Sequence, residues 1–317
     1  MKRRILLGAG LALPALAAGA QEIPGRTVTL VVPFAPGTVI DIMARAFAEP
    51  FRQALGSGTT VVVVNRDGAG GSIAGGFVAQ SRPDGAVIGF GPSGGLTVQP
   101  ILVPSLAYRL DAFEPICQTF ENIFALAASP QAPFASLAAL VEAAKARPET
   151  ISFGHAGNGT TGHRVIRQFE LLAGIRLNEV GYRGGGQMLT DAQAGTIPLV
   201  VTTWATLRNA GLRVLAIASE ARDPAIGAEV PTFKELGYDL TLRGFGGLWA
   251  PRGLPPEVAR RLEAACLEAT RSEAYGTVMR NAAQVVAPLG AQDFAARLVA
   301  EQAEARTLLD RLGLIPR

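Results

Sequence analysis

Three glycine-bearing turns carry the groups in this chain that could do chemistry. GPSGG at 91–95 fits the G-x-S-x-G pattern and would set Ser93 on a nucleophile elbow. Asp111 and then His155 or His163 follow in the order nucleophile, acid, base. An α/β-hydrolase takes its histidine late, however, and no histidine follows His163, so a glycine-rich loop that happens to hold a serine explains the pattern better. GNGTTG at 157–162 is a literal G-x-G-x-x-G after the strand-like TISFG, with Glu179 about twenty residues on. That is the layout of a dinucleotide site, but the same turn cradles any anion with its N–H groups. YRGGGQM at 182–188 is the third, where Arg183 could grip a carboxylate with two parallel hydrogen bonds or simply face solvent.

A fourth turn shows what positions them all. In TLVVPFAPGTVIDIMAR at 29–45 an apolar strand runs into Pro36-Gly37, and a helix follows with Asp41 in its first turn. Ile40, Met43, Ala44, Phe47 and Phe51 recur on one face of that helix. Strand patterns lie at 27–34, 60–65, 86–90, 123–128, 150–154, 175–180, 197–202, 213–218 and 245–250. Helical patterns lie at 39–54, 72–81, 136–146, 162–173, 255–271 and 293–312. Such alternation predicts an α/β protein with parallel sheets covered by helices. No internal repeat or low-complexity segment interrupts it. The loops at 35–41, 91–97, 157–163 and 183–187 all leave strands and enter helices, and ligands of open parallel sheets bind outside the strands' carboxyl ends. Two facing sheets would enclose a small anion between helix N-termini. These loops hold few acids and bases, which favours a binding protein over an enzyme.

The N-terminus bears on where the protein works. Lys2, Arg3 and Arg4 precede an apolar run from Ile5 to Ala18, and Ala18-Gly19-Ala20 offers a small-x-small cleavage site. Pro14 interrupts the run, which falls short of the ~20 residues a spanning helix needs. A cleavable export signal at 1–20 is expected, and Arg3-Arg4 leaves Sec and twin-arginine routes both open. Its removal takes away three bases and no acid, so the remaining chain holds 26 Lys and Arg against 26 Asp and Glu and is formally neutral. There is then no electrostatic case for nucleic acid. Hydrophobic residues make up 49% of the chain, enough for two cores. Export permits a disulfide between Cys117 and Cys266, but the helical apolar face around Cys266 suits a buried thiol as well. Two cysteines and two histidines without ligand spacing imply no metal site, and no organic cofactor is indicated.

Across nearly the whole exported chain the sequence resembles the periplasmic solute-binding receptors of tripartite tricarboxylate transporters, the Bug family. The likeness runs through VPFAPG with Asp41 and Arg45, VVVVNRDGAGGSIAG at 61–75, PDG at 83–85, FEPICQ at 113–118 and GHAGNGTTGH at 154–163. It continues through GYRGGG at 181–186, DAQAG at 191–195, VLAIAS at 214–219, VPTFKELGY at 230–238 and GGLWAPRGLPPEV at 246–258. The resemblance implies a two-lobed periplasmic-binding-protein fold of the Venus-flytrap kind, with a mainly parallel sheet in each lobe. Residues 21–121 and 231–317 would form lobe 1, and 122–230 lobe 2, with the ligand cleft between them. It implies a monomer that captures a small carboxylate, held by backbone groups and water, and delivers it to integral-membrane permease subunits. Carried over residue by residue, the ligand loops are Phe34, Ala35, Pro36, Gly37, Thr38, Ile40 and Asp41; Ser93; His155, Gly157, Asn158, Gly159, Thr160, Thr161 and His163; and Tyr182, Gly184, Gly185 and Gly186. Asp41 and His163 have a second reading, as groups that stabilise a helix start.

The departures from the family's pattern are as informative. Thr38 stands where a second glycine is usual, and Ile40 where Thr or Ser is. His155 replaces a small residue, Pro198 and Thr202 replace frequent acids, and 203–213 is shortened. These point either to a less polar ligand or to a receptor whose usual ligand mode is gone, and to His155 as a contact that would make binding pH-dependent. Two other roles fit the sequence: a sensor that signals its closed form to a membrane kinase, and a secreted hydrolase using Ser93.

Overall fold

The TVTLVV run becomes strand β1 (Thr27–Val32), and its Pro-Gly turn delivers the chain into helix α1 (Val39–Leu55). Met43, Ala44, Phe47, Phe51 and Leu55 of α1 are buried, at the spacing that lines one helical face. The structure, a computed structural model, describes residues 27–182, 184–224 and 226–316. The expected export signal at 1–20 and Arg183 lie outside the described residues.

The first half continues through β2 (Thr60–Asn65), α2 (Ser72–Ala79), β3 (Val87–Pro92), the short helices α3 (Gly94–Thr97) and α4 (Gln99–Leu102), and β4 (Phe113–Asn122). Ile123 alone separates β4 from β5 (Phe124–Ala128), where a second sheet begins. Next come α5 (Leu137–Ala146), β6 (Ser152–His155), α6 (Thr161–Ala173), β7 (Asn178–Gly181), α7 (Gly185–Gln193), β8 (Leu199–Thr203), α8 (Trp204–Leu207) and β9 (Arg213–Ile217). The chain then returns through β10 (Gly244–Pro251), α9 (Pro256–Thr270), α10 (Glu273–Asn281), β11 (Val285–Leu289) and α11 (Ala291–Arg311).

The larger sheet has the order β11-β4-β10-β3-β1-β2 and the smaller β7-β6-β8-β5-β9. Both are mixed, not mainly parallel. β1 runs parallel to β2 and β3, whereas β10 is antiparallel to β3 and β4, and β11 to β4. In the smaller sheet β6 is parallel to β7 and β8, but β5 is antiparallel to β8 and β9. The strands that cross between the sheets enter them against the βα grain, which alternation of element types cannot reveal.

Each sheet is covered on both faces. Phe47, Phe51, Phe90, Phe120 and Tyr275 pack under α1, α9 and α10 on one side of the larger sheet, and Trp249, Tyr108 and Leu96 on the other. Phe153, Phe169 and Leu140 form the main core of the smaller sheet, with Met188 and Ile197 opposite. Phe233 and Leu240 belong to that smaller-sheet core, and Thr232 bridges to Ile217. The return crossing therefore falls at Arg243–Gly244 and not at the expected 230/231, because 232–242 buries its apolar side chains with the smaller sheet. Cys117 on β4 and Cys266 on α9 are joined by a disulfide, their Cα atoms 6.4 Å apart. The apolar face around Cys266 is what carries its sulfur to the sheet.

Candidate ligand-binding site

Loops from both sheets close around one cavity of about 160 Å³. From the larger sheet come Phe34, Ala35, Thr38 and Ile40 at the start of α1, and Gly94 and Gly95 at the start of α3. From the smaller sheet come Thr160, Thr161 and Gly162 at the start of α6, and Gly184 and Gly185 at the start of α7. No described residue lining this cavity carries a charge. Helix geometry leaves the first-turn N–H groups of α1 and α6 without intrahelical acceptors, each end carrying about half a positive charge.

Local sequence explains the shape of both principal loops. Gly37 has φ +81°, in the region open to glycine, and Thr38 caps α1 by accepting from Asp41 N. Asp41 Oδ2 accepts from Gly37 N at 2.9 Å and Arg45 Nε at 3.0 Å, and its Oδ1 accepts from Asn65 Nδ2 at 2.8 Å. Asn65 also donates to Phe34 O. Burial pushes the Asp41 carboxyl up, but Arg45, the Gly37 N–H and Asn65 outweigh it and hold it below its ordinary value. Asp41 is a buried clamp behind the loop and does not line the cavity, nor do Pro36 and Gly37.

In the second loop Gly157 and Gly159 take φ +117° and +75°, and Thr160 caps α6 by accepting from His163 N. A Cβ on Gly162 would lie 3.0 Å from Val201 O and 3.3 Å from the Phe124 ring. The glycine fingerprint thus has the tight turn and close packing expected of it, but Glu179 is not free for a ribose. Its Oε2 accepts from Arg167 and faces His163 Nε2 at 3.1 Å. Asn158 and Gly159 face the larger sheet instead of the cavity: Gln99 donates to Asn158 O at 2.8 Å, and Leu102 packs over Gly159.

His155 and His163 stack at 4.5 Å behind this loop, both buried and neither lining the cavity. Gly157 N donates to His155 Nδ1 and Gly159 N to His163 Nδ1. Burial, the largest cause, lowers both pKa values, that of His163 to about 4 with His155 adding to the effect. His155, expected to touch ligand, does not line the cavity, because its ring folds under its own loop. His155, His163 and Glu179 bring ligand atoms within 4.8 Å of one another, the one such group among the described residues. Yet each Nδ1 already accepts a backbone N–H, which puts the neutral ring's proton on Nε2, the nitrogen a metal would need. The cluster is arranged to hold the loop.

Ser93 is buried, its Oγ without a partner, and both histidines are engaged with the second loop, so no base is aligned with it. Tyr182 is also outside the lining: its hydroxyl donates to Asp191 at 2.8 Å, and burial followed by Asp191 raises it to about 12. Gly186 lies one residue inside α7 and does not line the cavity.

Much of the wall comes from residues without a loop motif. Asn122, Phe124 and Gly244 line the cavity where the chain crosses between sheets, with Trp249, Gln284, Val201, Thr202, Thr203 and Thr206 around them. The sequence singled out Thr202 among these, where the family often has an acid, whereas Asn122 ends a strand too polar for its pattern to stand out.

The sequence model of the tripartite tricarboxylate transporter family receptor, TctC, matches residues 43–314. BugT of Bordetella pertussis is 33% identical over 273 residues, covering 84% of this chain and 82% of BugT. The structure of the periplasmic binding protein BugD superposes with TM-score 0.83 at 27% identity, covering 93% of this chain and 100% of BugD. Rpa4515 of R. palustris, solved with adipate, gives TM-score 0.85 at 27% identity, covering 93% of this chain and 99% of Rpa4515. With the two-sheet fold and the cavity between its loops, these matches make the chain a member of the tripartite tricarboxylate transporter receptor family, the solute-binding receptors to which the Bug proteins belong.

Proposed function

We propose that this protein is exported by its N-terminal segment, captures a small organic carboxylate between two lobes and delivers it to a membrane permease. The lobes are 27–122 with 244–316, and 123–243, each built on one sheet. One observation carries the reading: the N-termini of α1 and α6, from different sheets, meet at a single cavity that no described charged residue lines. A carboxylate there is offset by two helix ends and by first-turn N–H groups, with threonine hydroxyls and ordered water completing its shell. Adipate in Rpa4515 is a ligand of that class. The wall residues of our reading are Phe34, Ala35, Thr38, Ile40, Thr160, Thr161, Gly184 and Gly185. Asp41, His155, Gly157, Gly159 and His163 hold the loops from behind.

Thermal-shift and calorimetric titration with small carboxylates test it. A ligand at about 100 times its Kd adds about 2.7 kcal/mol of stability. Uptake of the acid so identified should fail in cells lacking either this protein or the cognate permease. Binding of uncharged solutes with indifference to all acids would overturn the proposal.

A further inference from the structure

The tip of the second loop reaches across the boundary between the lobes. Asn158 and Gly159 face away from the cavity, and Val98, Gln99 and Leu102 of lobe 1 receive them. A Cβ on Gly159 would lie 2.4 Å from Leu102 Cδ1, 2.9 Å from Val98 Cγ1 and 3.3 Å from Gln99 Nε2. The three side chains leave room there for a backbone and no more. Gln99 Nε2 donates to Asn158 O at 2.8 Å. The same amide nitrogen lies against Gly70 of the cavity wall, where an added Cβ would come within 2.2 Å of it. One residue before Val98, Thr97 donates to Glu301, which accepts from Arg164 of α6. The segment 97–102 of lobe 1 thus meets 158–164 of lobe 2 along one seam beside the cavity.

The tip is joined firmly to the helix that follows it. Thr160 Oγ1 donates to Gly157 O at 2.7 Å, and Gly159 N donates to His163 Nδ1 at 3.0 Å. Thr160 and Thr161 come directly after the tip and line the cavity. The seating of the tip therefore fixes where the first-turn N–H groups of α6 stand relative to α1. Contacts made only when two lobes are together favour the closed form, and a ligand that needs that form gains apparent affinity in proportion to its population. We propose that Asn158 and Gly159 are positioning residues for ligand capture, seating between Val98, Gln99 and Leu102 as the lobes close and setting affinity without touching the ligand. The second glycine of the G-x-G turn then serves docking between lobes and not the binding of an anion. The proposal rests on the two-lobed receptor reading and adds a contact that closes it.

A cross-link tests the seat without any ligand. Val98 Cγ1 marks where a cysteine sulfur would lie, and its 2.9 Å from the Cβ position of residue 159 matches the ~3 Å between one Cβ and the opposite sulfur of a disulfide. Val98→Cys with Gly159→Cys should therefore link under oxidised glutathione, read by peptide mass mapping alongside the native Cys117–Cys266 bridge. A folded double variant that does not link would overturn the proposal. Radiolabelled succinate, adipate or benzoate, whichever binds, should be retained through dialysis when loaded before oxidation, be excluded when added after it, and exchange again on reduction. Free exchange across an intact link would show that the tip does not govern the cleft, and would also overturn the proposal. Gly159→Ala serves if the double variant folds poorly. It should weaken every acid that binds by one common factor of about ten or more, because it lowers the closed population and removes no ligand contact. Gly174→Ala carries a similar left-handed strain, φ +63° against +75°, with nothing within 4 Å of the added carbon, and should leave affinity alone. Equal affinities for the two alanine variants would count against the docking role. Binding of none of the acids would overturn the receptor reading, and the cross-link would still decide whether the tip seats.

Discussion

Arg164 of α6 and Glu301 of α11 form a buried ion pair that fastens the two halves of the cleft. Arg164 donates to Glu301 Oε1, and Glu301 Oε2 accepts from Thr97 of α3 at 2.9 Å. The side chains are 1% and 5% exposed. One carboxylate therefore ties the helix that begins at the 157–162 loop to the one that begins at the 91–95 turn. Removing the acid alone strands a buried guanidinium, so Glu301→Ala should cost about 3–5 kcal/mol in urea denaturation. Replacing both members by apolar residues of similar volume, Arg164→Met with Glu301→Leu, should recover most of that loss. A double variant as unstable as Glu301→Ala would show that the pair contributes more than mutual neutralisation.

The disulfide between Cys117 and Cys266 spans 149 residues of sequence and closes β4 onto α9. Cross-linking so long a loop restricts the unfolded chain, and loss of such a bridge costs about 2–5 kcal/mol. Reduction under native conditions, or Cys117→Ala with Cys266→Ala, should lower the melting temperature by several degrees. Both residues lie in the larger sheet's core and away from the cavity, so ligand affinity should be unchanged. A change in affinity without a change in melting temperature would contradict this separation of roles.

Much of this architecture could be read before the structure was seen. Strong periodicity fixed α1, because Met43, Phe47 and Phe51 repeat with the helix, and Pro36-Gly37 marked its start. β4 was missed for a physical reason: Gln118, Thr119 and Asn122 break the apolar pattern, yet the strand buries all three between neighbours. α10 and β11 were missed as well, their short amphipathic patterns falling below what periodicity resolves. The loops that line the cavity were legible through their glycines, but not which of their side chains turn inward. Asp41 and His155 lie in those loops and point behind them, a matter of tertiary hydrogen bonding that spacing does not encode. Gln284 and Asn122 meet only through strand register across 162 positions of chain, which no local pattern shows.

The histidine pair sets an acid limit on stability. His163 is neutral when folded, its pKa lowered by burial to about 4, against an ordinary 6.5. The unfolded chain therefore takes up the proton first as pH falls. The stabilisation is whole above about 6.5 and is lost progressively down to about 4, amounting to about 3 kcal/mol at most. His155 is shifted in the same direction by the same cause. Protonation must also put a proton on the Nδ1 that accepts Gly159 N–H, so the second loop loosens together with the fold. Urea midpoints between pH 7 and 5 should fall for the unaltered protein and fall less for His163→Gln, which has nothing to titrate. The lowered carboxyls of Asp41 and Glu179 act in a separate window, because their ordinary values are 3.8 and 4.5. Equal slopes for the two proteins above pH 5 would remove His163 from this account.

Two glycines of the expected ligand loops should respond in opposite ways to the same added methyl group. At Gly162 a Cβ meets Val201 O at 3.0 Å, and that oxygen belongs to a central strand and cannot yield cheaply. Gly162→Ala must push the start of α6 away from β8, at about 1–3 kcal/mol by the usual cost of overpacking. The displaced helix end also moves the N–H groups proposed to face the carboxylate, so affinity should drop about ten-fold or more. At Gly186 nothing lies within 4 Å of the added carbon, and the residue sits inside α7. Gly186→Ala should raise stability by about 0.5–1 kcal/mol, through the lower entropy of the unfolded chain, and leave affinity alone. Loss of binding at Gly186 with none at Gly162 would place the ligand against α7 and not against α6, and the proposed site would have to move toward Gly184 and Gly185.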